Sequence, residues 1–286
     1  MKSKESTDIK KAKEKIKEAD VIYITAGAGM GVDSGLPDFR GNEGFWREYP
    51  IIKKFGYSFV DMANPQWFKS NPKLAWAFYG HRLNLYRKTK PHKGFKLLLE
   101  LSKSKKDYFV FTSNVDGQFQ KAGFSEDKIY ECHGSIHYLQ CTSCDIPIYS
   151  AKDIKVEIDM DKFEAKNIPT CPKCKAVARP NILMFGDWQW DSSRSQKQSI
   201  RLQRFLNNTI KNNYKIVVIE IGAGVHIPTV RNESEYIAKE LNGFLIRINP
   251  RESYIEDSNI NGVSLSMGGL EGLEIISKNL ISNNDY

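Results

Sequence analysis

Four of the five cysteines fall into two Cys-x-x-Cys pairs, Cys141 with Cys144 and Cys171 with Cys174. Each pair can close on one metal ion through a tight turn, and four thiolates complete a tetrahedral shell with no open position. Four reduced cysteines without a metal are the less favoured alternative, because two Cys-x-x-Cys pairs with turn-forming residues are a specific pattern. The sequence therefore predicts one structural zinc ion, and the closed shell argues against catalysis at that ion.

A glycine-rich segment near the N-terminus has the composition of a phosphate-binding loop. The apolar, β-branched stretch at residues 21–26 predicts a buried strand, and Gly27, Ala28 and Gly29 follow it directly. Glycines permit positive φ and let backbone N–H groups come close to phosphate oxygens, so this loop can hold a pyrophosphate. Such a loop is also typical of a simple tight turn. The acid, aromatic ring and guanidinium at residues 38–40 are not needed for a turn and favour a binding site.

Polar side chains follow two further predicted strands. Ser113, Asn114 and Asp116 come directly after the apolar stretch 107–112, and His133 follows the stretch 129–132. Open α/β sheets hold their ligands at the carboxyl ends of their strands, so these side chains are candidates for one site. Asn and Asp after a strand also cap turns, and a lone histidine is more often a core residue. We apply that structural interpretation to the other four histidines, His81, His92, His137 and His226.

Three segments together resemble the signature motifs of the sirtuins, a family of NAD-dependent protein-lysine deacylases. Residues 27–41 resemble the family's GAGxSxxSGIPDFRG, residues 112–123 its TQNIDxLHxxAG, and residues 179–187 its RPxVVxFGE. His133 and Gly134 match its His-Gly motif, which stands eight residues before the first zinc cysteine. The similarity covers nearly the whole chain.

The resemblance implies NAD as cofactor and assigns roles to individual residues. His133 would be the general base that activates a ribose hydroxyl of the cofactor, which suits an imidazole with a pKa near neutrality. Asn114 would hold the ribose and the attacking water, and Asp116 the nicotinamide carboxamide. The full set of implied cofactor-binding residues is Gly27, Ala28, Gly29, Asp38, Phe39, Arg40, Ser113, Asn114, Asp116, Gly222, Ala223, Gly224 and Asn249.

The resemblance also implies a substrate site for an acylated protein or peptide. A peptide carrying acyl-lysine would add as a strand beside residues 179–187, and Ile182, Phe185 and Gly186 would belong to its site. Tyr79 and Arg82 lie three residues apart, so on a helix they share a face. In the sirtuin subclass that removes succinyl and malonyl groups, a Tyr-x-x-Arg pair reads the acyl carboxylate. An ordinary amphipathic helix with a surface arginine explains so short a motif equally well.

Several positions depart from the family pattern. Gly31, Ser113 and Phe119 stand where the family has Ser, Gln and His, and residues 222–225 replace its Gly-Thr/Ser-Ser-Leu. We therefore expect an NAD-dependent deacylase that releases nicotinamide and O-acyl-ADP-ribose, and we keep three alternatives. These are a protein mono-ADP-ribosyltransferase, an NAD glycohydrolase and a non-catalytic NAD-sensing protein.

The alternation of strand and helix patterns predicts an α/β fold, with a Rossmann-like doubly wound parallel sheet. Residues 1–44, 93–139 and 180–286 are assigned to the NAD-binding domain. A smaller domain combines a helical insertion at 45–92 with a zinc-binding module of the ribbon type at 140–179. Helices are predicted near 6–19, 92–102, 194–211 and 230–241, with further helix starts at Asn64 and Asn71, and later strands at 215–221 and 243–249.

Composition and charge exclude other classes of protein. The chain has 286 residues and a formal net charge of +8, much of it in a lysine-rich start that is interpreted as an amphipathic helix rather than a nucleic-acid arm. No apolar run approaches the roughly 20 residues of a membrane span, and the start lacks the apolar middle of a secretory signal. We expect a cytoplasmic monomer that binds no membrane and no nucleic acid. Cys132 is interpreted as a small buried apolar residue.

Overall fold

The computed structural model describes residues 6–37 and 41–281, so the predicted cofactor residues Asp38, Phe39 and Arg40 lie outside the described part of the chain. The strands are β1 (Val21–Ala26), β2 (Asp107–Thr112), β3 (Ile129–Glu131), β4 (Gly134–Cys141), β5 (Tyr149–Ser150), β6 (Ile158–Asp159), β7 (Glu164–Ala165), β8 (Ala178–Ile182), β9 (Ile216–Ile221), β10 (Phe244–Ile248) and β11 (Gly262–Leu265). The helices are α1 (Thr7–Glu18), α2 (Gly41–Glu48), α3 (Pro50–Lys54), α4 (Phe59–Met62), α5 (Trp67–Ser70), α6 (Pro72–Lys88), α7 (Lys93–Lys103), α8 (Gln118–Lys121), α9 (Ser193–Lys211), α10 (Thr229–Glu240) and α11 (Gly269–Ser277). Two 3-10 helices span Ala28–Ser34 and Glu126–Lys128.

Six strands form one parallel sheet in the order β11-β10-β9-β1-β2-β3. The chain builds outward from β1 through β2 to β3, and later returns to the other side of β1 and builds outward again through β9, β10 and β11. The predicted doubly wound α/β fold is therefore confirmed. The strand order reverses between β1 and β9, and a sheet of this kind opens a crevice for ligands at that point.

Both faces of the sheet are buried, which explains why its strands read as continuous apolar runs. All six residues of β1 are buried. Ile22 and Ile24 pack in a hydrophobic cluster with α1, α7 and α11, whereas Val21 and Tyr23 pack in a second cluster with α9 and α10. Alternate side chains of one strand thus hold helices on opposite faces, and the ends of β1 and β9 are fixed between them.

A third hydrophobic cluster combines the helical segment α2–α6 with the cysteine-containing segment. There β4 lies between β5 and β8 in a three-stranded antiparallel sheet. Trp76 of α6 is fully buried, and its indole Nε1 donates to the backbone oxygen of Ala178 in β8 at 2.9 Å. The two predicted insertions therefore share one core, while the predicted domain boundaries stay a prediction.

The sequence located most elements of the parallel sheet to within two residues, and the differences have local causes. The predicted helix start at Asn71 is confirmed, because its side chain accepts from the N–H of Leu74 and Pro72 takes the first helical position. The predicted start at Asn64 is displaced. The Asn64 side chain caps a turn by accepting from the N–H of Gln66, and α5 begins at Trp67. Within the described residues, no helix combines the length and apolarity that a membrane crossing requires.

Candidate active site

A cavity of about 540 Å³ lies where the strand order of the parallel sheet reverses. The loops after β1, β2 and β9 line one side, and α6 and the residues that follow β8 line the other. This volume falls in the range that holds cofactors and drug-sized ligands, about 300–1,000 Å³. The lining includes many of the predicted site residues, namely Gly27, Ala28, Tyr79, Arg82, Ser113, Asn114, Asp116, His133, Ile182, Phe185, Gly222, Ala223 and Gly224.

Two glycine loops meet at the floor of this cavity. A Cβ on Gly27 would lie 2.7 Å from the backbone oxygen of Gly222, and a Cβ on Gly222, whose φ is +63°, would lie 2.4 Å from the Cα of Gly29. The amide of Gly27 donates to Ile221, and that of Gly29 donates to Gly222. Gly29 is thus used to join the two loops and does not line the cavity, unlike Gly27 and Ala28. The missing side chains let the two loops pack against each other, and Gly27, Ala28 and residues 222–224 line the cavity where the pyrophosphate is predicted.

The loop after β2 is held against the first glycine loop. The side-chain amide of Asn114 donates to the backbone oxygen of Gly27, with 2.9 Å between Nδ2 and O. Asp116 is buried, and one carboxylate oxygen accepts from the N–H of Gln118 at 2.9 Å. Burial raises the pKa of Asp116 to about 6, although the N–H of Gln118 opposes this shift. Asn114 and Asp116 therefore occupy the same cavity wall, as the sequence predicts.

His133 stands between the two sheets. It follows β3 and precedes β4, and its backbone oxygen accepts from the N–H of Leu183 just after β8 at 2.9 Å. Burial lowers the pKa of its imidazole, which is therefore neutral near pH 7 and able to accept a proton. Neither ring nitrogen has a hydrogen-bond partner among residues 6–37 and 41–281. The imidazole thus borders the cavity in the form that a general base requires.

The other histidines differ from His133 in their partners. His81 contacts the hydroxyl of Tyr49, His92 the backbone oxygen of Met30, and His137 the backbone oxygen of Asp116, at 2.9–3.0 Å. The structural interpretation is confirmed for these three. It is wrong for His226, which is exposed and lines the cavity, because the turn after β9 carries it to the rim.

Tyr79 and Arg82 share the cavity-facing side of α6. Arg82 is almost fully buried, and its Nε and Nη2 donate to the hydroxyl of Tyr86 at 3.0 and 2.8 Å. Its guanidinium carbon lies 5.3–5.8 Å from the ring centroids of Phe78, Tyr79 and Tyr86. Burial raises the pKa of Tyr79 to about 12, so its phenol remains a hydrogen-bond donor. The alternative of a surface arginine on an ordinary amphipathic helix is excluded by this burial.

Residues after β8 complete the apolar part of the cavity. Ile182 and Phe185 line it, while Gly186 takes φ +65° in the turn behind them and lies outside the wall. The Phe185 ring meets Phe59 of α4 edge to face, with 6.1 Å between the ring centroids. The substrate residues predicted here are thus partly wall residues and partly turn residues.

The four paired cysteines come together in a single cluster. Their sulphur atoms all lie within 4.8 Å of one another, with Cys141 to Cys174 at 3.5 Å and Cys144 to Cys171 at 3.6 Å. Tetrahedral zinc with bonds of about 2.3 Å requires sulphurs about 3.8 Å apart, and the N–H groups of Ser143 and Cys144 already point at Cys141 Sγ. The cluster fits one structural zinc ion. The fifth cysteine, Cys132, has its pKa raised to about 12 by burial and stays a thiol.

Arg251 and Glu252 are two of the cavity residues that carry no signal in the sequence. Arg251 and Glu252 line the cofactor side because the loop after β10 folds back over the glycine loops. Asn249 is fully buried beneath that loop, where its side chain donates to Ala223 and accepts from the N–H groups of Arg251 and Glu252. The sequence assigned cofactor binding to Asn249, whereas in the structure it joins two loops and lies outside the cavity wall.

Comparisons with known proteins agree with this geometry. Residues 27–203 match the model of the Sir2 family. An NAD-dependent protein deacylase of Leptospira interrogans serogroup Icterohaemorrhagiae serovar Lai is 32% identical over 237 residues, which cover 83% of this chain and 84% of that protein. NAD-dependent protein deacylase 1 of Caldanaerobacter subterraneus subsp. tengcongensis is 34% identical over 180 residues, 63% of this chain and 66% of that protein. The crystal structure of a Sir2 homolog–NAD complex superposes with a TM-score of 0.72 at 25% identity, and the match covers 95% of this chain and 93% of that one.

Proposed function

Because this chain belongs to the Sir2 family, we propose that it removes acyl groups from protein lysines in a reaction that consumes NAD and releases nicotinamide and O-acyl-ADP-ribose. One observation carries the proposal. A single cavity joins the glycine loops, His133 and the apolar residues after β8 without a separating wall. A cofactor on the glycine loops and an acyl-lysine beside Ile182 would therefore meet at the imidazole.

Each group of residues that lines the cavity has a role in the proposed reaction. NAD, when bound, would supply a nicotinamide leaving group and an electrophilic ribose carbon for the acyl oxygen. His133 accepts a proton from the ribose hydroxyl, since its imidazole is neutral near pH 7. Asn114, fixed by its bond to Gly27, orients the ribose and water, and Asp116 accepts a hydrogen bond from the carboxamide.

We further propose that the site accepts acyl groups that end in a carboxylate. Support comes from the cavity position of both Tyr79 and Arg82. A guanidinium and a protonated phenol can together bind a succinyl or malonyl carboxylate by charge-assisted hydrogen bonds. The three aromatic rings around Arg82 exclude water and strengthen that attraction.

Arg82→Gln is expected to lower kcat/KM for a succinyl-lysine peptide by about 10–100-fold and to change kcat/KM for the acetyl-lysine peptide far less. A hydrogen bond to a charged group contributes about 1.5–3 kcal/mol, and about 1.4 kcal/mol corresponds to a factor of ten. Deacylation rates on the two peptides measure the effect. Tyr79→Phe is the matched control, which keeps the ring and removes one donor, so its loss should be smaller. An unchanged preference in Arg82→Gln would refute the role of Arg82.

The KM for NAD is expected to rise as pH falls through about 6. Asp116, whose pKa burial raises to about 6, loses its negative charge on protonation, and one of its acceptor oxygens becomes an O–H donor, so its hydrogen bond with the carboxamide weakens. His133 also gains a proton at low pH, but the resulting loss of the general base lowers kcat rather than raising the KM for NAD. Initial rates at varied NAD and pH separate the two effects. In Asp116→Asn the KM should be raised and independent of pH in this range; a pH-dependent KM that persists there would contradict the assignment.

Nicotinamide release with and without an acyl-lysine peptide tests the proposed function. A deacylase needs the acyl oxygen as its nucleophile, so nicotinamide should form only when the peptide is present. Release without peptide would favour the NAD glycohydrolase, and no release in either case would favour the NAD-sensing protein. The cytoplasmic location and the monomeric state stay predictions.

A further inference from the structure

Trp188 is almost entirely exposed, with 97% of its surface accessible, whereas the next most exposed aromatic residue described, Tyr236, reaches 60%. An indole has a large apolar surface, and proteins usually bury it or use it to bind a partner. The residue follows the apolar end of the cavity, three positions after Phe185.

The loop that carries Trp188 is fixed on both sides. The fully buried carboxylate of Asp187 pairs with Arg179 and accepts from the N–H groups of Met184 and Gln189, both at 3.3 Å. The side-chain amide of Gln140 donates to the backbone oxygen of Gln189 at 2.8 Å. A partner that covers Trp188 therefore needs to order only one side chain, which keeps the entropic cost of binding low.

Trp188 lies three residues along the chain from an apolar strip at the cavity wall. Leu183 and Phe185 line the cavity and are also 38% and 37% exposed, so an apolar strip reaches from the cavity wall to the surface. The backbone from Phe185 to Trp188 makes two turns and spans at most about 11 Å. A polypeptide whose acyl-lysine enters the cavity would pass the indole within about four residues of that lysine.

An indole can bind either a cationic or an apolar side chain, and the charge near the loop favours the apolar one. Gln189, the next residue, lines a small surface pocket together with Lys69 and Arg179. Lys69 is exposed in the pocket that the residue after Trp188 lines, and its charge disfavours a cationic ligand there, whereas an apolar side chain would extend the strip formed by Leu183 and Phe185.

We propose that Trp188 binds a large apolar side chain of the acylated polypeptide, close to the acyl-lysine, and so selects among substrate sequences. This inference rests on the proposed function for the identity of the polypeptide. Trp188 touches no reacting group, so it changes peptide affinity and leaves the chemical step unaltered.

The test is calorimetric titration with acyl-lysine peptides in the absence of NAD, so that no turnover accompanies binding. Acetyl and succinyl series carry leucine or serine at one flanking position at a time, up to about four residues from the lysine. Leucine at one position should lower the Kd about tenfold relative to serine. Trp188→Ala should abolish this ratio with an unchanged melting temperature, and Tyr236→Ala on α10, the matched loss of an exposed aromatic ring, should keep it.

This experiment tests the role of Trp188 in peptide binding separately from the proposed deacylation. A tenfold ratio that depends on Trp188, found in a protein that releases no nicotinamide, would refute the proposed deacylation and support the inference. Equal Kd values for all peptides, a ratio that persists in Trp188→Ala, or no binding of any peptide would overturn it. So would a dimer that Trp188→Ala dissociates, because a second copy would then cover the indole.

Discussion

Replacing His133 with alanine is expected to lower kcat by about 10²–10⁴-fold while changing the Kd for NAD by no more than about threefold. The imidazole borders the cavity, burial lowers its pKa, and its ring nitrogens have no partner among residues 6–37 and 41–281. A general base acts when a proton moves in the transition state, so its removal affects the chemical step more than cofactor binding. Single-turnover rates and NAD titration measure the two quantities separately.

His226→Ala is the control for that change. It also removes an imidazole from the cavity lining, but from an exposed position on the loop after β9. Its kcat should stay within about threefold of the unaltered protein, with any effect confined to the KM for NAD. A His133→Ala protein that releases nicotinamide and deacylates peptide at the original rate would remove His133 from the mechanism.

Cys141→Ser is expected to release the zinc ion and to unfold the lobe built from α2–α6 and the β5-β4-β8 sheet. Structural zinc binds with about 10–16 kcal/mol in small modules, which is comparable to the about 5–15 kcal/mol that stabilises a whole domain. The unfolding that follows loss of the zinc ion should disturb the cavity through β4 and β8. Cys141 and Ala178 pair at the zinc end of this ladder, and Gly134 and Ile182 pair at the cavity end, beside His133.

Zinc analysis and thermal unfolding check this prediction, and Cys132→Ser is the matched control. That change replaces the one cysteine outside the cluster, so it should keep one zinc ion per chain and most of the thermal stability. Deacylation should fall with the zinc content of Cys141→Ser even though no zinc ligand lines the cavity. Retention of the full zinc content and an unchanged melting temperature in Cys141→Ser would contradict the structural role.

Short-range patterns explain what the sequence predicts correctly. Each zinc pair spans four residues, so the ligand set is visible locally, and the core of the cluster follows from two tight turns. The strand β1 is buried on both faces and therefore reads as one apolar run that ends at Gly27. The burial of Arg82 could not be predicted in this way. A Tyr-x-x-Arg spacing shows only that the two side chains share a helix face, and the packing of α6 against the cavity determines whether that face is buried or exposed.

Long-range packing explains what the sequence did not reveal. Glu252 reaches the cavity because Arg231 of α10 donates to its backbone oxygen at 2.6 Å and Asn249 holds its N–H group. The contact between Arg231 and Glu252 joins residues 21 positions apart and has no local signal, whereas the contact between Asn249 and Glu252 belongs to a local turn. The pairing of β4 with β8 joins segments about forty residues apart, so the sequence alone did not bring Ile182 beside His133. The exposure of Trp188 could not be predicted for the same reason, because it depends on how the loop folds.

One measurement tests the central claim most directly: the ratio of nicotinamide to deacylated peptide in a single turnover with limiting NAD and an acyl-lysine peptide. Transfer of the acyl group to the cofactor's ribose couples both products, so the account predicts equal amounts of each, with acetyl or succinyl lysine. Nicotinamide formed while the peptide keeps its acyl group, or a peptide that gains ADP-ribose, would contradict it.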